Sequence, residues 1–85
     1  FRNIIADTPI GDDLQLTEIC VQPSMIGKNL VTLELPRRFS VLVAGIRRGP
    51  EGKIIRPNPT EPLQEGDKLL IVSSESAIPN LIRGV

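Results

Sequence analysis

Two adjacent arginines, Arg47 and Arg48, are the side chains of this sequence best suited to bind a charged ligand. A guanidinium group presents its N–H donors in a planar fork that matches the oxygens of a phosphate or a carboxylate. The surrounding segment is basic too, because residues 28–56 contain seven Lys or Arg and two acidic residues, while the whole chain has zero net charge. An anionic ligand would therefore be sought at this basic centre, and a solvated charged surface is the alternative.

The residue types used most often in catalysis are scarce in this chain. Its 85 residues include no histidine, and Cys20 is the only cysteine, so the commonest general base is missing and no internal disulfide can form. The carboxylates of Asp12, Asp13 and Glu18 have the chemistry to bind Ca²⁺, but their spacing does not match a calcium-binding loop. We therefore expect a binding or assembly domain, not an enzyme, and no metal site.

The sequence also argues against two further classes of partner, nucleic acid and the interior of a membrane. The only aromatic residues are Phe1 and Phe39, which is too few for a surface that stacks nucleic-acid bases. The charge is balanced and no basic recognition helix is evident, so duplex nucleic acid is not an expected partner. The longest apolar run, residues 41–46, has the length of a strand and not of a membrane span.

Proline and glycine residues divide the chain into short elements that must position the arginines. Thr17, Ile19 and Val21 alternate with polar residues, which predicts a strand with one buried face. Residues 41–46 are apolar on both faces, which predicts a central strand of a sheet. The predicted elements are strands at residues 16–22, 41–48, 53–56 and 68–72, a helix at 24–35 that Ser24 caps and Pro36 ends, and a helix from Ser74 or Ser76 to Arg83.

These elements predict a small α+β domain. Its order would be β-α-β-β-β-α, with about four mostly antiparallel strands and two short helices on one face of the sheet. Residues 57–62 contain three prolines that cannot donate to a sheet, so we expect an extended loop there. Residues 8–13 are turn-rich, and we expect residues 1–13 to be a leader or a linker from a longer chain, with the domain itself at 14–85.

The ordered set of motifs resembles the TrkA C-terminal domain, also called the RCK C-terminal domain. The resemblance covers roughly residues 14–83 and depends on the order of the motifs, since none of them is specific alone. The matching segments are the strand at 16–21, the helix start at 24–30, Leu35-Pro36, the strand and arginines at 41–49, and residues 63–72 after a proline segment.

The resemblance implies a non-catalytic regulatory function. Members of that family are cytoplasmic modules of potassium uptake systems, potassium channels and some other ion transporters. The implied partners are a second copy of the domain, in a homodimer, and a membrane-embedded transporter or channel part in the same or a partner chain. A purely structural oligomerisation domain without a ligand, a small enzyme, and an adaptor that binds peptides by strand addition are the alternatives.

The resemblance also implies where a ligand would bind. Family members that bind cyclic di-AMP hold it at the dimer interface, with an arginine near the end of the 41–48 strand and polar or proline positions in the following segment. In this sequence the corresponding residues are Arg47, Arg48, Arg56, Pro57 and Asn58. The implied ligand is cyclic di-AMP or another nucleotide, and we expect any phosphate-bearing ligand to need Arg47 or Arg48. Ile54 and Ile55 stand where such binders often have a polar residue.

Overall fold

The computed structural model describes residues 4–85, which form one antiparallel five-stranded sheet with short helices. The order of the strands across the sheet is β1-β2-β5-β3-β4. This arrangement confirms the predicted α+β class, with one strand more than expected. The elements are β1 (Ile4–Gly11), β2 (Leu14–Cys20), α1 (Leu30–Leu33), α2 (Leu35–Phe39), β3 (Leu42–Arg48), β4 (Lys53–Ile55), β5 (Lys68–Ser73) and α3 (Ala77–Gly84), with a 3-10 turn at Pro23–Met25.

The central strand β5 organises the hydrophobic core. Leu69 is fully buried and lies in register between Ile19 of β2 and Ile46 of β3. Alternate residues of a strand point to opposite faces, so these three side chains share the face that the helices cover. The helices and the 3-10 turn complete the core with the buried residues Met25, Leu33, Leu35, Ala77, Ile78 and Leu81.

The opposite face of the sheet is only partly covered. Leu16, Leu70 and Val72 alternate with the buried core residues of β2 and β5, and each is half-buried. No helix of the described chain packs on this face, whose shielding comes from neighbouring side chains such as the Glu18–Arg47 pair. The domain therefore buries one face of its sheet and leaves the other accessible.

The first predicted helix, at residues 24–35, is wrong in its bounds. Gly27 adopts a φ of +84°, which interrupts any helix that starts at Ser24. The helix α1 begins instead after Asn29, whose Oδ1 accepts a hydrogen bond from the Thr32 amide at 2.8 Å. Pro36 does not end the helical region as expected, because it lies in the first turn of the separate helix α2, where its missing amide hydrogen costs nothing.

The N-terminal segment also differs from the prediction. A leader was expected at residues 1–13, with a turn-rich stretch at 8–13, but residues 4–11 form β1, which pairs with β2 from Ile4–Ile19 to Gly11–Leu14. All eight residues of β1 are exposed, so its side chains gave no apolar alternation by which to recognise a strand. Residues 1–3 lie outside the described part of the chain.

The C-terminal helix follows its prediction closely. Ser76 precedes α3 and Pro79 lies in the first turn. The hydroxyls of Ser74 and Ser76 bond to each other and do not cap the helix, whereas the main-chain oxygen of Ser74 accepts a bond from the Ala77 amide at 3.3 Å. Arg38 of α2 donates hydrogen bonds to the carbonyl oxygen of Gly84, at 3.0 Å, and to that of Leu33. These bonds tie α2 to the end of α3. None of the helices in residues 4–85 is long and apolar enough to cross a membrane.

Replacement of the central core residue should be far more harmful than the same change at the surface. We expect Leu69→Ala to lower the free energy of unfolding by about 3 kcal/mol, because it leaves a cavity between β2, β3 and the helices. The matched control Leu14→Ala removes an exposed leucine at the start of β2 and should cost less than about 1 kcal/mol. Urea denaturation measures both values, and equal losses would contradict this account of the core.

Candidate ligand-binding cleft

The pairing between β3 and β4 stops part-way along β3. The two strands pair at only three positions, from Arg48–Lys53 to Ile46–Ile55. Beyond Ile55 the chain continues into residues 57–62, the proline segment. Pro57 and Pro59 in this segment have no amide hydrogen and cannot extend the ladder. The outer edge of β3 at residues 42–45 therefore has no strand beside it in the described structure, and the proline segment diverges from it.

This divergence opens a cleft of about 250 Å³. Its walls come from β3, from helices α1 and α2, and from the proline segment. The lining residues are Leu30, Val31, Leu35, Pro36, Leu42, Val43, Pro57 and Pro59. All of them are apolar, and the volume is below the roughly 300–1,000 Å³ of pockets that enclose a whole drug-sized molecule. The cleft is therefore suited to one ring system or aliphatic group of a larger ligand.

Backbone hydrogen bonds hold the proline segment against the beginning of α1. The amide of Val31 donates to the carbonyl oxygen of Pro59 at 3.1 Å. Further along, the amide of Leu63 donates to Lys28 O and the amide of Gly27 donates to Leu63 O, both at 2.8 Å. The prolines prevent this part of the chain from pairing with β3. It pairs with residues 27–31 instead.

Asn58 gives the proline segment its turn. Its Oδ1 accepts hydrogen bonds from the Thr60 amide, at 3.2 Å, and from the Thr60 hydroxyl, at 3.1 Å. Its main-chain carbonyl accepts a third bond, from the Glu61 amide at 3.1 Å. Side-chain acceptance two residues along the chain is the usual way in which Asn shapes a turn. The Asn58 side-chain oxygen is therefore engaged within the segment.

Arg48 is the centre of a partly buried ion-pair network. Its Nε and Nη2 donate to the two carboxylate oxygens of Asp67 at 2.9 and 2.6 Å, and its Nη1 donates to Glu61 at 2.5 Å. Asp67 is 2% exposed and also accepts a bond from the Gln64 amide. Burial alone would raise the pKa of Asp67, but the hydrogen bonds from Arg48 and Gln64, with the Arg48 charge, lower it overall. The bonds to Asp67 and Glu61 raise the pKa of Arg48.

Arg47 points to the opposite face of the sheet, as strand alternation predicts. Its Nε and Nη2 donate to Glu18 at 2.8 and 3.3 Å, and its Nη1 donates to the carbonyl oxygen of Gly52. Both adjacent arginines are therefore paired with carboxylates. Glu18, considered above as a calcium ligand, is engaged in this pair, and no group of three or more metal-ligating side chains occurs in residues 4–85.

The five residues proposed from the sequence thus fall into different places. Pro57 lines the cleft, Arg56 precedes it immediately, and Asn58 follows it, whereas Arg47 and Arg48 do not line the cleft. Arg56 is exposed and forms no ion pair with residues 4–85. Sequence reasoning missed the apolar lining from α1, α2 and β3. The only signal of the cleft in the sequence was the pair Pro57 and Pro59, which follows the predicted strand at 53–56.

The fold and this order of motifs agree with a known family. A model of the TrkA-C domain matches residues 16–83. The chain belongs to the TrkA-C domain family. The Ktr system potassium uptake protein A of Vibrio alginolyticus is 31% identical to this TrkA-C domain over 85 residues. That match covers 99% of the chain, and the chain spans 38% of the length of the relative.

Solved structures share the same TrkA-C fold. One is the RCK C domain of the potassium transport protein KtrA in complex with cyclic di-AMP, with a TM-score of 0.78 and 21% identity over 87% of this chain and 86% of that one. Another is the GsuK channel bound to NAD, with a TM-score of 0.72 and 19% identity over 85% of this chain and 13% of that one. At these identities the likeness concerns the fold alone.

The Arg48–Asp67 pair should make the stability of the domain depend on acid pH. We expect Asp67→Asn to lower the free energy of unfolding at pH 7 by about 2–3 kcal/mol, because it leaves Arg48 with a weaker, neutral partner in a partly buried site. Since the pKa of Asp67 is lowered on folding, the advantage of the wild type is complete above about pH 4 and disappears as the pH falls through the folded-state value.

Denaturation at several pH values measures this difference. The control Asp12→Asn changes an exposed carboxylate in the turn between β1 and β2 and should have little effect at any pH. A difference between wild type and Asp67→Asn that stays constant from pH 7 to pH 3 would contradict the assignment.

Proposed function

We propose that this TrkA-C domain is a non-catalytic, dimeric regulatory domain that binds an anionic nucleotide. The observation that carries the proposal is an apolar cleft whose lining residue Pro57 directly follows Arg56, an arginine that has no carboxylate partner in residues 4–85. An apolar cleft accepts a base, and a guanidinium without an ion-pair partner that can reach the cleft accepts a phosphate. The combination suits a ligand that has both parts.

Cyclic di-AMP is the first ligand to test. The KtrA RCK C domain, which shares this fold, is solved in complex with that molecule. In the present chain Arg56, Pro57 and the cleft wall would contact it, and Asn58 would keep the wall in shape. Before either arginine could hold a phosphate, Arg47 would have to release Glu18, and Arg48 would have to release Asp67 or the more exposed Glu61. NAD, which is bound in the GsuK channel structure, is the second nucleotide to test.

The regulated protein would be a potassium channel or transporter. The support is the 31% identity to a potassium uptake protein, of which this chain spans a part. The domain would lie in the cytoplasm and bias the state of a membrane-embedded part in the same or a partner chain. Ligand binding can do so only where the ligand has different affinities for the two states.

Dimerisation would use the apolar surface around the mouth of the cleft. Val31, Leu42 and Ile54 are 58%, 60% and 55% exposed, which is unusual for large apolar side chains that lie near one another. Leu42 and Val31 line the same cleft, and Ile54 packs over Gly45 of the adjoining strand. A second copy on this surface would place two clefts close together, which suits a ligand with two-fold symmetry.

The dimer is tested by analytical ultracentrifugation at high protein concentration. We expect the wild type to sediment as a dimer and Leu42→Glu as a monomer, because a carboxylate at the centre of the interface would be buried without a partner. The control Ile5→Glu makes a similar change at the exposed strand β1 and should remain dimeric. A monomeric wild type would disprove the dimer, and a dimeric Leu42→Glu would place the interface elsewhere.

The nucleotide site is tested by thermal shift and titration calorimetry with cyclic di-AMP. We expect the ligand to raise the Tm of the wild type, and Arg56→Ala to weaken binding about tenfold through loss of a charge-assisted hydrogen bond. The control Arg83→Ala removes an exposed arginine on α3 and should bind normally. If neither cyclic di-AMP nor NAD shifts the Tm, a structural oligomerisation domain without a ligand is favoured.

A further inference from the structure

We propose that Glu61, which does not line the cleft, is a positioning residue that fixes the shape of the ligand site through its bond to Arg48. The inference rests on the proposed ligand site and deepens it. It assigns a role to the one carboxylate of the proline segment, and it gives Arg48 a function other than direct contact with the ligand.

The wall of the cleft at residues 57–61 is a small rigid unit. Asn58 closes a turn through its bonds with Thr60 and Glu61. Because the turn is bonded to itself, it moves as a body and not residue by residue. Whatever anchors one end of the turn therefore sets the position of Pro57 and Pro59 in the cleft.

Within residues 4–85, two hydrogen-bonded contacts anchor this turn to the rest of the domain. One is the bond from the Val31 amide to Pro59 O, and the other is the ion pair between Glu61 and Arg48. They lie on different sides of the wall, since Val31 belongs to α1 and Arg48 to the end of β3. Loss of either contact would leave the turn held by the remaining one and by its covalent ends at β4 and Leu63.

Arg48 is a fixed anchor, whereas Glu61 is the part that can be released. The bidentate bonds to the buried Asp67 hold Arg48 in place whether or not Glu61 is present. The side chain of Glu61 is 45% exposed, against 19% for Arg48, so its removal uncovers no core residue. A neutral side chain at position 61 should therefore loosen the wall without unfolding the domain, and a ligand would then have to order the wall on binding.

Charge repulsion alone predicts the opposite effect of a Glu61 substitution on ligand affinity, so the substitution tests the inference. A carboxylate near an anionic ligand repels it, so removing the charge of Glu61 should strengthen binding if charge alone mattered. If Glu61 positions the wall, Glu61→Gln should instead weaken binding of cyclic di-AMP about fivefold, the loss expected for one exposed ion pair of about 1 kcal/mol. The control Glu65→Gln makes the same charge change at an exposed residue that forms no ion pair with the described residues.

The experiment measures affinity by calorimetry and amide hydrogen exchange by NMR in the wild-type domain and both variants. We expect weaker binding only in Glu61→Gln, with about fivefold faster exchange at the Val31 amide and unchanged exchange at the Leu63 amide, which bonds to Lys28. Binding by Glu61→Gln as tight as that of Glu65→Gln, or unchanged exchange at Val31, would overturn the inference. Should the wild type not bind cyclic di-AMP, the proposed ligand fails, and the exchange comparison alone decides whether Glu61 holds the wall.

Discussion

In residues 4–85, three short helices contribute to the core on one face of the five-stranded sheet. A domain of this size buries only about 60–65% of the surface of its unfolded chain. The core is therefore a single layer between β2, β5, β3 and the helices, with Leu69 at its centre. Apolar residues that this layer does not accommodate stay at the surface, some in β1 and at the start of β2, and others, including Val31 and Leu42, around the cleft beside β3. Exposed apolar area of this kind is typical of surfaces that a partner covers.

The prolines turn this exposed edge into a site. An ordinary continuation of β4 would have paired with β3 at residues 42–45 and closed the sheet. Pro57 and Pro59 cannot donate, so the segment pairs instead with residues 27–31 and leaves a gap lined by both partners. The cleft is thus a consequence of the missing proline amides. It depends on no polar side chain, and its lining is entirely apolar.

Two kinds of feature could be predicted from the sequence. One depends on the alternation of apolar and polar residues along a strand, and the other on prolines that lack a backbone N–H donor. The buried face of β2, the strands β3 and β4 and the unpaired proline segment follow from such local rules. Strand alternation also accounts for the opposite directions of Arg47 and Arg48. The strand β1 could not be found in this way, since both of its faces are exposed. The helix at residues 24–35 was wrong because φ values, such as those of Gly27 and of Glu34 at +49°, depend on tertiary contacts that a sequence pattern does not contain. The cleft was missed for a similar reason, as its walls are distant in the chain.

Arg47 and Arg48 are neighbours in the chain, but their carboxylate partners differ in burial. The cost of breaking the ion pair to bind a ligand therefore differs between them. A phosphate that displaced Asp67 from Arg48 would leave an unpaired carboxylate that is 2% exposed, at a cost of about 3–5 kcal/mol. A phosphate contact returns at most a similar amount, so the exchange gives no net affinity. Arg47 has a less buried partner, but it lies on the face of the sheet opposite the core. Arg56 has no such bond to give up and precedes a cleft residue directly in the chain. A phosphate contact there would break no ion pair within residues 4–85, and its cost would be the ordering of an exposed side chain. This difference is the reason for proposing Arg56 as the ligand contact and Arg48 as an anchor of the wall.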